Sequence, residues 1–230
     1  MTRRGLKESP LYESRYGDKE RRSNFIFVSV LAFLFLAVFA FRAYFVDTFG
    51  GVVVDGNSMN LTLKDEDKLL MRYTDKRHKA ERGDIIVVYV GDYPECADVR
   101  SKHLIKRLIA VEGDKVRCTD GQVEICYAGT DEYVLLNEPY AYYGAWDRNK
   151  PNYDFSEYVV GEGEVFFLGD NRSDANGLLS SIDSRYKDVY NKVKGSHLNS
   201  LYKEKDIVGV VSDWALEHRS FLGKLPIWSE

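Results

Sequence analysis

Ser58 stands in the turn Val54-Asp55-Gly56-Asn57-Ser58-Met59, and Lys106 stands in the apolar run Leu104-Ile105-Lys106-Arg107 about fifty residues later. A serine becomes a nucleophile when a neighbouring base takes its proton, and a lysine serves as that base only when it is neutral. At its free pKa of about 10.4 a lysine is almost wholly protonated at neutral pH. Flanked by Leu104, Ile105, Leu108 and Ile109, Lys106 is held against apolar surface, where desolvation penalises the ammonium and lowers the pKa. The pair could then attack a carbonyl, pass the proton to the leaving amine and release the acyl group to water. The alternative is a lysine at a strand edge whose head simply reaches solvent.

Other reactive groups assemble less well. Cys96, Cys118 and Cys126 show no Cys-x-x-Cys spacing, and His78, His103, His197 and His218 are scattered, so no metal site and no cofactor site is predicted. Cys118 and Cys126 flank Thr119-Asp120-Gly121-Gln122, a hairpin signal, and their pairing stays open: with a two-residue Asp-Gly turn Cys118 faces Val123. His103 reads as a surface histidine. Ser184-Arg185-Tyr186-Lys187 fits a Ser-x-x-Lys pattern of penicillin-interacting enzymes but lacks their other motifs, so it is taken as chance.

The elements around the pair divide by charge. Residues 1–24 hold seven Lys/Arg against four acids, whereas the chain after position 46 has 24 basic and 32 acidic residues. A folded part of that sign argues against a nucleic-acid partner. Between them Phe25 to Phe41 is seventeen residues without a charge, enough with the following Arg42-Ala43-Tyr44-Phe45-Val46 to span a bilayer as a helix. The basic flank places the N-terminus in the cytoplasm and the remainder outside. The run is longer than a cleavable leader and closes on no small-x-small site, which favours an uncleaved anchor. Gly50-Gly51 is a flexible exit. Short apolar strands follow at Val52–Val54, Leu69–Tyr73, Asp84–Val90, Leu104–Val111, Val165–Leu168 and Ile207–Val211, with a hairpin at 115–118 and 123–127. Residues 128–160 are aromatic without a clear period, and 173–203 read as loop or partial helix.

Taken in order, Gly56-Asn57-Ser58-Met59 with Thr62-Leu63, Arg82-Gly83-Asp84-Ile85-Ile86-Val87-Val88-Tyr89, Ile105-Lys106-Arg107 with Gly113-Asp114-Lys115-Val116, and Gly169-Asp170-Asn171-Arg172 with Ser181-Ile182-Asp183-Ser184-Arg185 resemble the boxes of bacterial type I signal peptidases. The resemblance runs from the anchor to Arg185. It implies a mainly β protein: an N-terminal transmembrane helix (25–46) after a basic tail (1–24), an antiparallel β catalytic core (47–114 and 164–230) and a small inserted β domain (115–163). It also implies a membrane-bound serine endopeptidase of the bacterial cytoplasmic membrane, single-pass, with its catalytic part on the outer face.

Carried over residue by residue, the resemblance makes Ser58 the nucleophile and Lys106 the general base. Asp170, Ser181, Asp183 and Arg185 take supporting roles, with Ser180 as an alternative to Ser181 because Ser173–Ser180 lengthens the usual spacing. Gly56 stands where some members have an oxyanion-hole serine, leaving backbone donors, that of Ser58 first, to stabilise the O⁻. Leu61 and Glu112 replace prolines. The implied substrates are signal peptides of secretory preproteins with small residues near the cut, held in shallow pockets by Val54, Met59 and Ile86. Membrane lipid is the other implied partner, and Phe45, Phe49 and Trp228 either touch it or pack internally. Two other functions compete: a dedicated peptidase for one pilus or conjugation substrate, and a membrane-anchored binding domain without catalysis.

Overall fold

The structure, a computed structural model, describes residues 10–97, 101–143, 154–172, 182–195 and 201–224. It divides into a helical unit ending at Thr48 and a β unit beginning at Phe49. Helix α1 (Pro10–Thr48) is 39 residues long, so it takes in much of the basic tail as well as the apolar run. Proline suits its first turn, where an N–H would have no intrahelical partner. From Lys19 to Thr48 the mean hydropathy reaches 2.6 and nothing is buried. A helix that is apolar all round and uncovered by protein is one suited to lipid.

In the β unit the strands are β1 (Phe49–Val53), β2 (Lys68–Tyr73), β3 (Ile85–Tyr89), β4 (His103–Val111), β5 (Lys115–Thr119), β6 (Gln122–Cys126), β7 (Val134–Leu135), β8 (Phe155–Val159), β9 (Glu164–Leu168), β10 (Tyr202–Lys203) and β11 (Ile207–Val211). Seven of them form an antiparallel sheet in the order β1-β2-β11-β3-β4-β9-β10, and the remaining four form a second sheet, β7-β6-β5-β8.

Gly50 and Gly51 are not a flexible exit. They pair with Met71 and Leu70 in β1, and a Cβ on Gly50 would lie 2.6 Å from the Tyr73 hydroxyl. Gly50 is thus packed closely under the ends of the Tyr73 and Met71 side chains, which would have to shift to admit a Cβ.

Strand alternation sends the large sheet's side chains into two cores. Leu69, Met71, Ile85, Val87 and Val211 gather on one with Met59 and Leu63 of the turn after β1, covered by helices α3 (Asp213–Glu217) and α4 (Arg219–Leu222). Ile86, Val88, Leu108, Val165, Phe167 and Tyr202 fill the other. Each fully buried aliphatic or Phe side chain contributes about 1.5–3 kcal/mol, so these cores hold the sheet by packing, with Cys96 among the packed side chains of the second. The second sheet shares a third core with β4 and β9 through Ile109, Phe166 and Leu168.

Hairpin β5–β6 turns on Asp120 and Gly121, both at positive φ, the two-residue turn that Asp-Gly favours. That turn sets Cys118 against Val123 and Cys126 against Lys115. All three cysteines are buried free thiols, so the pairing left open from the sequence is not made. Burial pushes the Cys96 thiol up to about 11 and the Cys118 thiol up to about 12. Helix α2 (Tyr186–Lys194) arises in the polar stretch read as loop or partial helix. Trp228 and Ser181 lie outside the described residues, as does Ser180.

Candidate active site

After β1 the chain folds on itself. Val54 N–H donates to the Asp67 carbonyl, Glu66 N–H to the Val54 carbonyl, and Leu63 N–H to the Met59 carbonyl, at 2.8–2.9 Å. Met59 and Leu63, both buried, anchor this turn in the core. Gly56 takes φ +92°, a value L side chains avoid, and its N–H donates to Asp65 Oδ1 at 2.7 Å. That donor is therefore committed to the loop and does not serve an oxyanion. Among the described residues no protein acceptor takes the Ser58 N–H.

Asn171, which sequence reasoning passed over, fixes the turn. Its backbone N–H donates to the Ser58 carbonyl and its side-chain amide to the Asn57 carbonyl, each at 3.0 Å. The only prior signal was its place in Gly169-Asp170-Asn171-Arg172.

Lys106 lies in β4 opposite Ile86 and is 2% exposed. Burial lowers its pKa to about 8; among the charges around it Asp183 and Asp170 push the value up and Arg185 pushes it down. The supporting carboxylates have defined partners. Arg107 grips both oxygens of the buried Asp170 at 2.8 and 2.6 Å, and Thr62 Oγ1 donates to Asp170 Oδ2 at 2.6 Å. The Tyr140 ring lies 3.9 Å from the Arg107 guanidinium carbon. Asp170 thus ties the strand carrying Lys106 to the segment just beyond Ser58. Arg185 pairs with Asp183 at 2.5 Å, with both side chains buried. Between them Ser184 Oγ accepts the Phe167 N–H at 2.8 Å, which docks the Asp183–Arg185 segment against β9. In the outer boxes Arg82 forks onto Asp114 at 2.6 and 2.8 Å.

Ser58 and Lys106 line one cleft of about 830 Å³ together with Val52 and Val54 of the β1 side and Ile105 of β4. Val54 and Met59 line it as anticipated. Ile86 does not: its side chain is fully buried in the opposite core, and Val87, its neighbour on the other face of β3, lines the cleft instead, because successive strand residues alternate faces.

Ser58 in its turn and the buried Lys106 thus line one cleft, in a β unit preceded by an apolar helix long enough to cross a membrane. The family model described as Signal peptidase, peptidase S26 matches residues 24–214. Signal peptidase I of Bacillus licheniformis is 30% identical over 169 residues, covering 70% of this chain and 79% of that protein. Signal peptidase I S of Bacillus subtilis is 30% identical over 162 residues, covering 70% and 74%. A crystal structure of a signal peptidase I from Enterococcus faecalis is 24% identical and covers 58% of this chain and 97% of that one, with a TM-score of 0.37. The chain belongs to the signal peptidase family, peptidase S26, and is a serine endopeptidase of the type I kind.

Proposed function

We propose that the enzyme removes signal peptides from exported preproteins, with Ser58 as nucleophile and Lys106 as general base. The observation that carries this reading is a lysine only 2% exposed, with its pKa lowered to about 8, on the same cleft as Ser58. An amine of that pKa is neutral in a useful fraction of molecules near neutral pH. It takes the Ser58 proton as Oγ attacks the scissile carbonyl, then returns it to the departing amine. The same amine next deprotonates the water that cleaves the acyl-enzyme. The Ser58 N–H, with no acceptor among the described residues, donates to the developing O⁻. Asp170, Asp183 and Arg185 hold the strand and the base, and Ser181 or Ser180 completes that support.

Among the described residues strand β1 has one sheet partner, β2, so its other edge offers backbone groups to an extended substrate, as in recognition by strand addition. Helix α1 crosses the membrane once, with its basic flank inside and the β unit on the outer face. Residues 115–163, which include the four-stranded sheet, are the small inserted domain, and Val54, Met59 and Val87 shape the pocket for the small residue before the cut. Contact of Phe45 and Phe49 with lipid belongs to the same reading.

The test is cleavage of a generic preprotein in detergent or lipid by wild type, Ser58→Ala and Lys106→Ala, with folding checked in each. Cleavage by wild type that is lost in both variants is expected. Folded wild type that leaves generic preproteins intact would rule out general signal-peptide removal and favour a dedicated substrate.

A further inference from the structure

The cleft does not end at Ser58 and Lys106. It continues to Glu95, Ser101 and His103, with Tyr186 and Tyr190 of α2 as a wall. Glu95 sits in the short 3-10 turn Pro94–Cys96. Its side chain has no exposure to bulk solvent, and neither carboxylate oxygen receives a hydrogen bond from a described residue. Lys187 Nζ lies 3.6 Å from Oε1, beyond hydrogen-bonding distance, and rests over the rings of Tyr202 and Tyr93 at 4.7 and 5.0 Å. The negative charge of Glu95 is therefore countered while its lone pairs are not used.

A buried acceptor left in that state has lost its water without replacement, so such groups are normally completed by a donor. A second cation is a poor candidate, because Lys187 already stands beside Glu95 and Lys194 lines the same stretch of cleft. A neutral N–H or O–H suits it. Tyr186 and Tyr190 are one helical turn apart, with ring centroids at 6.3 Å, and present flat faces along which an extended side chain can lie.

We propose that this end of the cleft is a second recognition site, in which Glu95 accepts a hydrogen bond from a Ser, Thr, Asn or Gln side chain of the substrate. The proposal rests on the reading that substrate occupies the Ser58 and Lys106 cleft. His103 lines the same cleft three strand residues before Lys106, roughly 10 Å at strand rise, so the peptides that test the site are varied three to five positions from the scissile bond.

The test is a panel of preprotein-derived peptides, alanine at every position three to five residues either side of the cut, with one Asn or Ser restored at a time. Binding is measured by fluorescence anisotropy on full-length, detergent-solubilised Ser58→Ala, and cleavage on wild type. One restored position is expected to tighten binding roughly tenfold, and the same position is expected to raise kcat/KM. In the charge-neutral pair Glu95→Leu with Lys187→Met, which removes the acceptor, that ratio is expected to fall to within about twofold, and in Glu95→Gln, which keeps a neutral acceptor, it is expected to fall part-way. The paired variant covers the case in which Glu95→Gln alone does not fold. Equal binding of every peptide would overturn the second site, as would a preference that survives both Glu95 variants. The catalytic reading is judged separately, by whether wild type cuts and Ser58→Ala does not.

Discussion

Two lysines are buried among the described residues, Lys106 at 2% exposure and Lys187 at 4%, and both have pKa values lowered by desolvation. Each also has a serine that invites a dyad: Ser58 across the fold for Lys106, and Ser184 three residues earlier for Lys187. The surroundings separate them. Ser184 Oγ is committed to the Phe167 N–H inside the core, whereas Ser58 is half-buried at the cleft with its hydroxyl toward no described partner. Lys187 has a carboxylate at 3.6 Å and two tyrosine faces that favour the ammonium. For Lys106 the pull of Asp183 and Asp170 is opposed by Arg185, and desolvation prevails. Burial alone does not make a base. The open serine and the opposed neighbouring charges separate the two, and the proposed base is the lysine that has both.

The largest effect that could break this contrast lies in the serines. Ser58→Ala is expected to lower kcat/KM roughly 10⁴-fold or more with an unchanged melting temperature. Ser184→Ala is expected to keep activity in the folded fraction while costing about 1–3 kcal/mol, since it leaves a buried N–H unpaired; preprotein cleavage and thermal melts read both.

Replacing the lysines is expected to move stability in opposite directions. Lys106→Met abolishes activity but stabilises the fold by about 3 kcal/mol at pH 7, the equivalent of lowering the pKa from 10.5 to about 8. Below about pH 8 folded and unfolded chains both hold that proton, so the cost of the buried ammonium is fully present. Between about 8 and 10.5 the unfolded chain binds more protons, wild-type stability rises with pH, and the advantage of the variant disappears. Lys187→Met instead strands Glu95 and is expected to destabilise by about 3–5 kcal/mol. Denaturant melts at pH 7 and pH 10 check the signs.

A pH profile sharpens the assignment of the base. Activity is expected to rise about tenfold per unit up to roughly pH 8 and then level off, because the neutral amine is the working form. In Asp183→Asn, which removes a charge holding the ammonium, the rising limb is expected to move to lower pH. A limb that moves the other way would contradict the placement of Asp183.

Smaller effects belong to the turn that carries Ser58. Asn171→Ala removes the bond to the Asn57 carbonyl and is expected to lower kcat about tenfold with KM little changed. Gly56→Ser has open space around its Cβ but a φ of +92°, so a loss of about 1–2 kcal/mol with activity within a few fold is expected, read by melts and initial rates.

Sequence alone determined the elements whose physics is local. Short apolar runs marked most strands of the large sheet, the uncharged stretch from Phe25 marked the apolar helix, and Asp120-Gly121 marked a hairpin, while the pairing of Cys118 and Cys126 stayed open until the structure showed free thiols. Ordered short motifs brought Ser58 and Lys106 forward from the sequence, and the structure places both on one cleft. Tertiary structure decided what depends on distant partners. That Gly50 is packed against Tyr73, that Asn171 clasps the turn of Ser58, that Val87 rather than Ile86 faces the cleft, and that Ser184 serves the backbone of β9 all follow from strand pairing across long stretches of chain. Spacing in sequence does not encode such contacts, since a side chain's neighbours in a sheet are set by register and by which face its pleat presents.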